Sequence, residues 1–156
     1  MLQIEFDIQK QNAQGANLSI MKAINPYINF NGKCREAMTF YHQCFGGDLE
    51  LREVKDSPVA VPGVDEKDKI FHSSLTINGA PLIMGSDMQD KNGYVKGNNI
   101  ALGVGCSSEQ EIRTLFESLS ANGNVQKPLK EEFWGGIFGS VEDQFGIVWF
   151  LNYDKK

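Results

Sequence analysis

His42 and His72 are the only imidazoles in this 156-residue chain, and they bound what metal or proton-transfer chemistry it can support. His72 opens the stretch HSSLTINGAPLIMGSD, which ends on a carboxylate, Asp87. A catalytic metal needs about three protein ligands at roughly 2 Å. The spacing brings no second histidine to His72, and His42 falls on the predicted exposed side of a helix. The three cysteines, Cys34, Cys44 and Cys106, are far apart and in no CxxC pairing. They read as free, buried thiols of a reducing cytosol. Cys106 stands two residues before a predicted helix, which lowers a thiol pKa only where burial does not undo it. No Ser–His–Asp order and no cysteine beside a base is visible, so no activated nucleophile is assigned and the catalytic residues stay unknown.

The remaining candidates suit binding. Alternation places His72, Ser74 and Thr76 on one face of a strand, with Leu75 and Ile77 on the other. Tyr27 and Asn29 share a face with Asn25. Trp134, Gly136 and Phe138 are expected on one strand face, where rings beside glycine form a slot for a flat or apolar ligand. Phe150 would add an aromatic wall. Asp87 and Glu142 end strands at turns and read as turn or surface residues.

These side chains need elements to hold them. Residues 2 to 8, LQIEFDI, alternate as a one-sided strand and precede a polar linker. A strand INPYINF follows. After Asn31-Gly32 comes a helix whose stripe is Ala37, Phe40, Tyr41 and Cys44. Gly46-Gly47 ends it. Strand DLELREV, a charged segment with two prolines and the hairpin IFHSSLTI-NG-APLIMGS complete the first half. The order then returns. Strand NIALGVGC leads to a helix from Ser108, where Ser108 and Glu111 make a capping box. Its stripe is Ile112, Leu115, Phe116 and Leu119. Asn122-Gly123 closes it before NVQKPL, FWGGIFGSV and IVWFLNY. The repeat is about 75 residues long, with Phe40-Tyr41 matching Leu115-Phe116 and Gly47 matching Gly123 nearly in step. Two such βαβββ units cannot each bury a sheet face alone. The expectation is an α+β fold: tandem βαβββ modules, about residues 22–90 and 97–154, forming one curved eight-stranded mixed sheet with helices outside and a cleft inside. Residues 1–20 are read as an extension to a single domain spanning 21–156.

Composition limits the partners. Apolar residues are 41% and charged residues 22%, ordinary for a globular protein. The net charge is −5 with no basic stripe, which argues against nucleic acid and anionic membranes. No apolar run is long enough to span a bilayer, and MLQIEFDIQK lacks the pattern of a secretory signal. The expected location is cytoplasmic.

The stretches PYINFNGKCREAMTFYHQCFGG, FHSSLTINGAPLIMGSD and EEFWGGIFGSVEDQFGIVWFLNY resemble the vicinal oxygen chelate superfamily (glyoxalase I, extradiol dioxygenases, bleomycin-resistance proteins), in its PhnB-like branch. The likeness runs from about Lys22 to Tyr153. Names carried in this branch include a demethylubiquinone methyltransferase, but no glycine-rich strand-to-helix turn for a nucleotide-like cofactor is present. The resemblance implies a homodimer and, in the superfamily's enzymes, metal ligands at inward positions of the first and last strands of each module. Carried over, those positions are Asn25 (or Pro26 if the register slips), Ile83, Asn99 and Phe150. Two are hydrocarbons and two are weakly ligating amides. The expectation is therefore a protein with no metal and no cofactor that binds a small organic molecule through Tyr27, Asn29, His72, Trp134 and Phe150. The alternative is a metal-dependent lyase, isomerase or dioxygenase of the superfamily using non-standard ligands.

Overall fold

A computed structural model describes residues 24–56, 68–88 and 93–155. The strand expected at residues 2 to 8 and its linker lie outside the described residues. In chain order the elements are β1 (Tyr27–Asn29), α1 (Cys34–Phe45), β2 (Asp48–Glu53), a 3-10 turn (Val54–Asp56), β3 (Ile70–Ile77), β4 (Ala80–Ser86), β5 (Leu102–Gly105), α2 (Glu109–Ser120), β6 (Asn124–Glu131), β7 (Gly136–Glu142) and β8 (Val148–Asp154). The tandem βαβββ order and the α+β class are those expected. The eight strands divide into two four-stranded sheets, β1-β4-β3-β2 and β5-β8-β7-β6, rather than running as one ladder. Each sheet is mixed, because β1 runs parallel to β4 and β5 parallel to β8 while the other pairs are antiparallel.

The helices differ in how they start. Ser108 caps α2, its hydroxyl accepting from Glu111 N–H at 3.1 Å. The Glu111 carboxylate answers by accepting from Ser107 N–H at 2.7 Å. The capping box is thus present, with its return arm one residue early. The N-cap of α1 is Lys33, which has no side-chain acceptor to offer. Asp87 supplies one from the end of β4: its Oδ1 accepts from Gly32 N–H and Cys34 N–H, both at 2.8 Å. The same carboxylate takes Ile70 N–H at 3.0 Å through Oδ2. It is 4% exposed, a buried clamp between helix and hairpin and not the turn or surface residue expected.

The inner faces of both sheets and the two helices share one apolar cluster. Tyr41 of α1 lies at its middle, with ring centroids 5.4 Å from Trp149 and 6.1 Å from both Phe30 and Phe145. The buried Asp143 carboxylate accepts from the Tyr41 hydroxyl at 2.7 Å and from Trp149 Nε1–H at 2.8 Å. Burial and that facing carboxylate push the Tyr41 phenol far above its ordinary pKa.

Gly47 and Gly123, matched in the repeat, do the same work. A Cβ on Gly47 would stand 2.4 Å from the Thr76 carbonyl oxygen, and one on Gly123 would stand 2.4 Å from the Glu142 carbonyl oxygen. In each module the chain leaves its helix pressed against the backbone near the end of the third strand, where only glycine fits.

Candidate functional site on the open sheet faces

With the inner faces packed on the helices, the opposite faces of both sheets stay half open. On the first sheet, Tyr27 stands beside Met84, and Met84 beside Ser74. The Tyr27 hydroxyl and His72 Nδ1 are 3.1 Å apart, and the rings tilt at 30° with centroids 5.7 Å apart. Arg52 is the cross-strand neighbour of His72 and is itself paired to Glu50 at 2.8 Å. Asn29 is spent on the backbone: its amide donates to the Met88 carbonyl, and its Oδ1 accepts from Asn31 N–H at 2.9 Å.

On the second sheet an aromatic row runs along the open face. Phe150 lies 5.7 Å from Phe138, and Phe138 lies 6.5 Å from Trp134, each pair near edge-on. The Lys127 ammonium sits 4.9 Å over the Phe138 ring. Gly103 and Gly105 flank the row across β8, and a Cβ on either would meet nothing within 4 Å. Trp134 is not on the strand as expected. It belongs to a turn closed by Gly135 N–H to the Glu132 carbonyl at 2.9 Å, and β7 begins at Gly136. The glycine pair bends the chain there. Trp134 still reaches the row and carries Phe133 edge-on at 4.9 Å.

One carried-over position is corrected. Ile83 is 1% exposed and faces the helix side with Leu75, its cross-strand partner. A two-residue Asn78-Gly79 turn alone would pair Leu75 with Leu82. A register shift between Leu75 and Thr76, opposite Pro81, moves the pairing by one. Such a bulge flips every later side chain to the other face. The outward residues of β4 are therefore Leu82 and Met84. Asn25 and Asn99 stand ahead of β1 and β5, outside the strands. Phe150 does face outward, half exposed. Among the described residues, no three His, Cys, Asp or Glu side chains gather as a metal would need.

The other candidates are settled locally. His42 bonds the Gly47 carbonyl at 3.2 Å. Glu142 pairs with Lys96 at 2.5 Å. Burial pushes the Cys34 thiol up to about 12 and those of Cys44 and Cys106 up to about 11. For Cys106, burial outweighs the helix start. Asp143 was missed. Its signal is the turn EDQFG, where an aspartate bonds backbone N–H groups ahead of it; Oδ1 accepts from Phe145 N–H at 2.8 Å and Ile147 N–H at 3.0 Å.

Residues 22–152 match the family described as 3-demethylubiquinone-9 3-methyltransferase. The chain belongs to this family. A Pseudomonas aeruginosa protein, PA1353, is 36% identical, with a TM-score of 0.77 over 87% of this chain and 100% of its own. A Bacillus cereus structure described as a putative 3-demethylubiquinone-9 3-methyltransferase, PhnB protein, is 28% identical, with a TM-score of 0.67 over 85% of this chain and 99% of its own. A glyoxalase-related enzyme from Fulvimarina pelagi, 19% identical over 86% of this chain and 88% of its own, shares the fold at a TM-score of 0.55. The PhnB-like, glyoxalase-type placement expected from the sequence stands. No helix of the described residues is long and apolar enough to cross a membrane.

Proposed function

We propose that this PhnB-like protein binds a small organic molecule between the open faces of its two kinds of sheet, and that it does so as a homodimer without a resident metal. The observation that carries the reading is the division of labour between those faces. The first presents the hydrogen-bonded pair Tyr27–His72, with Asn29 holding the adjoining backbone. The second presents the aromatic row with Trp134 and Phe150 at 49% and 44% exposure. Polar groups that fix orientation and rings that supply contact area are the two components of a ligand cleft. Both faces point away from the core that α1 bridges, so a second copy is the simplest way to bring a polar face over an aromatic one and to cover the exposed rings.

The donor set argues against the superfamily's usual metal. At the outward positions of the outer and central strands stand Tyr27, Met84, Gly103 and Phe150, and the one imidazole, His72, is already hydrogen-bonded on β3. A phenol, a thioether, a glycine and a phenyl ring do not make a Zn, Ni or Fe site. The methyltransferase activity in the family's name calls for a methyl-donor cofactor, and the sequence has no glycine-rich turn suited to a nucleotide-like one.

The test is a thermal-stabilisation screen of small molecules on untagged protein, repeated on Trp134→Ala. A ligand at about a hundred times its Kd adds roughly 2.7 kcal/mol, which a melting curve reads easily. Loss of the shift in the variant with the fold intact supports the reading. Unaltered affinity places the site elsewhere. Near-stoichiometric Zn, Ni, Mn or Fe by elemental analysis, lost in His72→Ala, would restore the metal-dependent alternative.

A further inference from the structure

We infer that Asn152 and Ser140 are polar ligand-binding residues on the open face of the second sheet, and that the ligand they select is an uncharged planar ring carrying a lactam, an N–H beside a C=O. The inference rests on the cleft reading above and adds the chemical class and the residues that read it.

The strand register lays that face out as a grid. One row across the strands is Gly103, Phe150, Ser140 and Lys127, and the next is Gly105, Asn152, Phe138 and Lys130. Alternation along β7 points Ser140 to the same side as Phe138. Phe138 and Phe150 stand on one diagonal, their ring centroids 5.7 Å apart. Asn152 and Ser140 stand on the other, where neighbours are about 7–8 Å apart and both can reach one ligand group between them. At the end of the face a Cβ on Gly136 would meet Trp134 Nε1 at 2.7 Å and Asp154 Oδ1 at 3.0 Å, so a bare glycine lets the indole and that carboxylate lie there. Three outward residues, Gly105, Asn152 and Asp154, line a cavity of about 420 Å³, a size suited to a small molecule.

Ser140 is 6% exposed, yet its hydroxyl has no hydrogen-bonding partner among the described residues. The other buried polar residues, Ser73, Ser86, Asp87 and Asp143, all have one. The half-buried Asn152 amide is also unpartnered among the described residues, since Cys106 N–H goes to its backbone carbonyl at 2.7 Å. A buried polar group that the fold leaves unmet costs stability and calls for a partner from outside. A side-chain amide offers a donor and an acceptor together, and a lactam answers both at once, its N–H to the Asn152 oxygen and its C=O to the Asn152 N–H. The Ser140 hydroxyl then meets the second lone pair of that C=O. The charges favour a neutral ligand. Lys127 and Lys130 converge on Glu132 at 2.6 Å and 3.8 Å, and Glu142 is held by Lys96 at 2.5 Å. Asp154 at one end opposes an anion, and the Lys127 ammonium, 4.9 Å over Phe138, opposes a cation. The Trp134 face and the phenyl edges remain for an uncharged ring.

The experiment is calorimetric titration of the full chain with 2-quinolone, 1-methyl-2-quinolone and quinoline. The first has both lactam groups, the second lacks the N–H and the third lacks both. 2-Quinolone is expected to bind at least tenfold tighter than either of the others, about the effect of one well-met hydrogen bond. Asn152→Leu should erase that preference. Ser140→Ala should weaken both quinolones, which share the carbonyl, and spare quinoline. Its melting temperature should hold or rise, because the fold gives that hydroxyl no partner. Equal binding of the two quinolones by the wild type, with loss of both in Trp134→Ala, keeps the cleft and overturns the lactam. A lactam preference that survives in Asn152→Leu overturns the assignment to Asn152. A lowered melting temperature in Ser140→Ala shows that the hydroxyl serves the fold and overturns its role. No binding of any of the three compounds overturns the lactam, and the cleft reading falls with it only where the wider screen also finds no ligand lost in Trp134→Ala.

Discussion

The Tyr41 hydroxyl donates to the Asp143 carboxylate at 2.7 Å across 102 residues of chain, joining the helix of the first module to the β7–β8 turn of the second. Trp149 Nε1–H meets the same oxygen at 2.8 Å. Removing the acceptor leaves a phenol and an indole donor buried and unpaired, at about 1–3 kcal/mol for each. Asp143→Ala is expected to cost roughly 3 kcal/mol or more, and Tyr41→Phe about 1–2 kcal/mol, since the carboxylate keeps its other donors. Denaturant midpoints at constant slope measure both. The double variant should cost less than the sum, because the two changes delete one shared bond. A wild-type midpoint for Asp143→Ala would show that the link bears no stability.

The matched glycines give a second expectation. A methyl on Gly47 or Gly123 would press on a carbonyl oxygen at 2.4 Å, and backbone yields less easily than a side chain. At Gly47 the dihedral φ is also +86°, which an L side chain rarely adopts. Gly47→Ala and Gly123→Ala should each destabilise by more than the roughly 1 kcal/mol typical of point changes, with Gly47 the worse. Gly32, with a φ of +90° and nothing within 4 Å, is the control, since substitution there meets strain without a clash. Thermal unfolding of the three variants ranks them.

The repeat, the helices and the hairpin ends were legible because each rests on a local signal: a 3.6-residue stripe, a cap, an Asn-Gly turn. β3 and β4 fall where the sequence puts them. The register of β4 was not legible, because it depends on which backbone groups pair opposite Pro81, and a missing N–H there signals a bulge without saying which way the pairing slips. The division into two sheets was equally hidden. Strand edges look alike in sequence whether they join a neighbouring module or end. At the site, the period-2 pattern of β3 put His72 and Ser74 on the open face, and Tyr27 followed from β1. Asp87 reads as a turn residue and Asp143 does not stand out at all, because nothing nearby in sequence reveals what buries a carboxylate. Their partners, Cys34 and Tyr41, lie 53 and 102 residues away.

The thiols carry a pH expectation. Burial raises Cys34 to about 12 and Cys44 and Cys106 to about 11, from 9.0. A raised folded-state value means the folded chain keeps protons that the unfolded chain has lost. The stability this contributes is present in full below about pH 9 and is lost as pH climbs through 11 to 12. Alkylation by iodoacetamide should be slow at pH 7.5, since the thiolate is the nucleophile, and should accelerate steeply above pH 10. Rapid labelling of Cys106 at neutral pH would mean that the start of α2 stabilises its thiolate after all.

Residues 2 to 8 lie outside the described residues, but their alternation makes a prediction about assembly. A strand with Leu2, Ile4, Phe6 and Ile8 on one face needs a sheet edge to pair with and an apolar surface to cover. Deleting residues 1–20 is expected to weaken the proposed dimer or lower the melting temperature. Sedimentation across a hundredfold concentration range separates the two effects. Unchanged mass and unchanged melting temperature together would remove any such role for the segment.

His72 and Asp87 lie near the two ends of one hairpin, and their separate jobs give the last prediction. His72 is half-buried on the open face and bonds one phenol. Its replacement by Ala removes a single partly exposed hydrogen bond, so stability should change by about 1 kcal/mol or less, while ligand binding should fall at least tenfold under the proposed reading. Asp87 faces the other way. Its carboxylate serves Gly32, Cys34 and Ile70, three backbone donors at the start of α1 and of β3. Asp87→Ala should cost roughly 2–4 kcal/mol as those donors go unmet. Asp87→Asn, whose one amide oxygen can still face Gly32 and Cys34, should recover part of it. Any residual ligand binding by the surviving folded fraction of the Asp87 variants should match wild type. A pattern with the roles reversed, in which His72→Ala unfolds the chain and Asp87→Ala abolishes binding without loss of stability, would place the site beneath α1 and not on the open sheet.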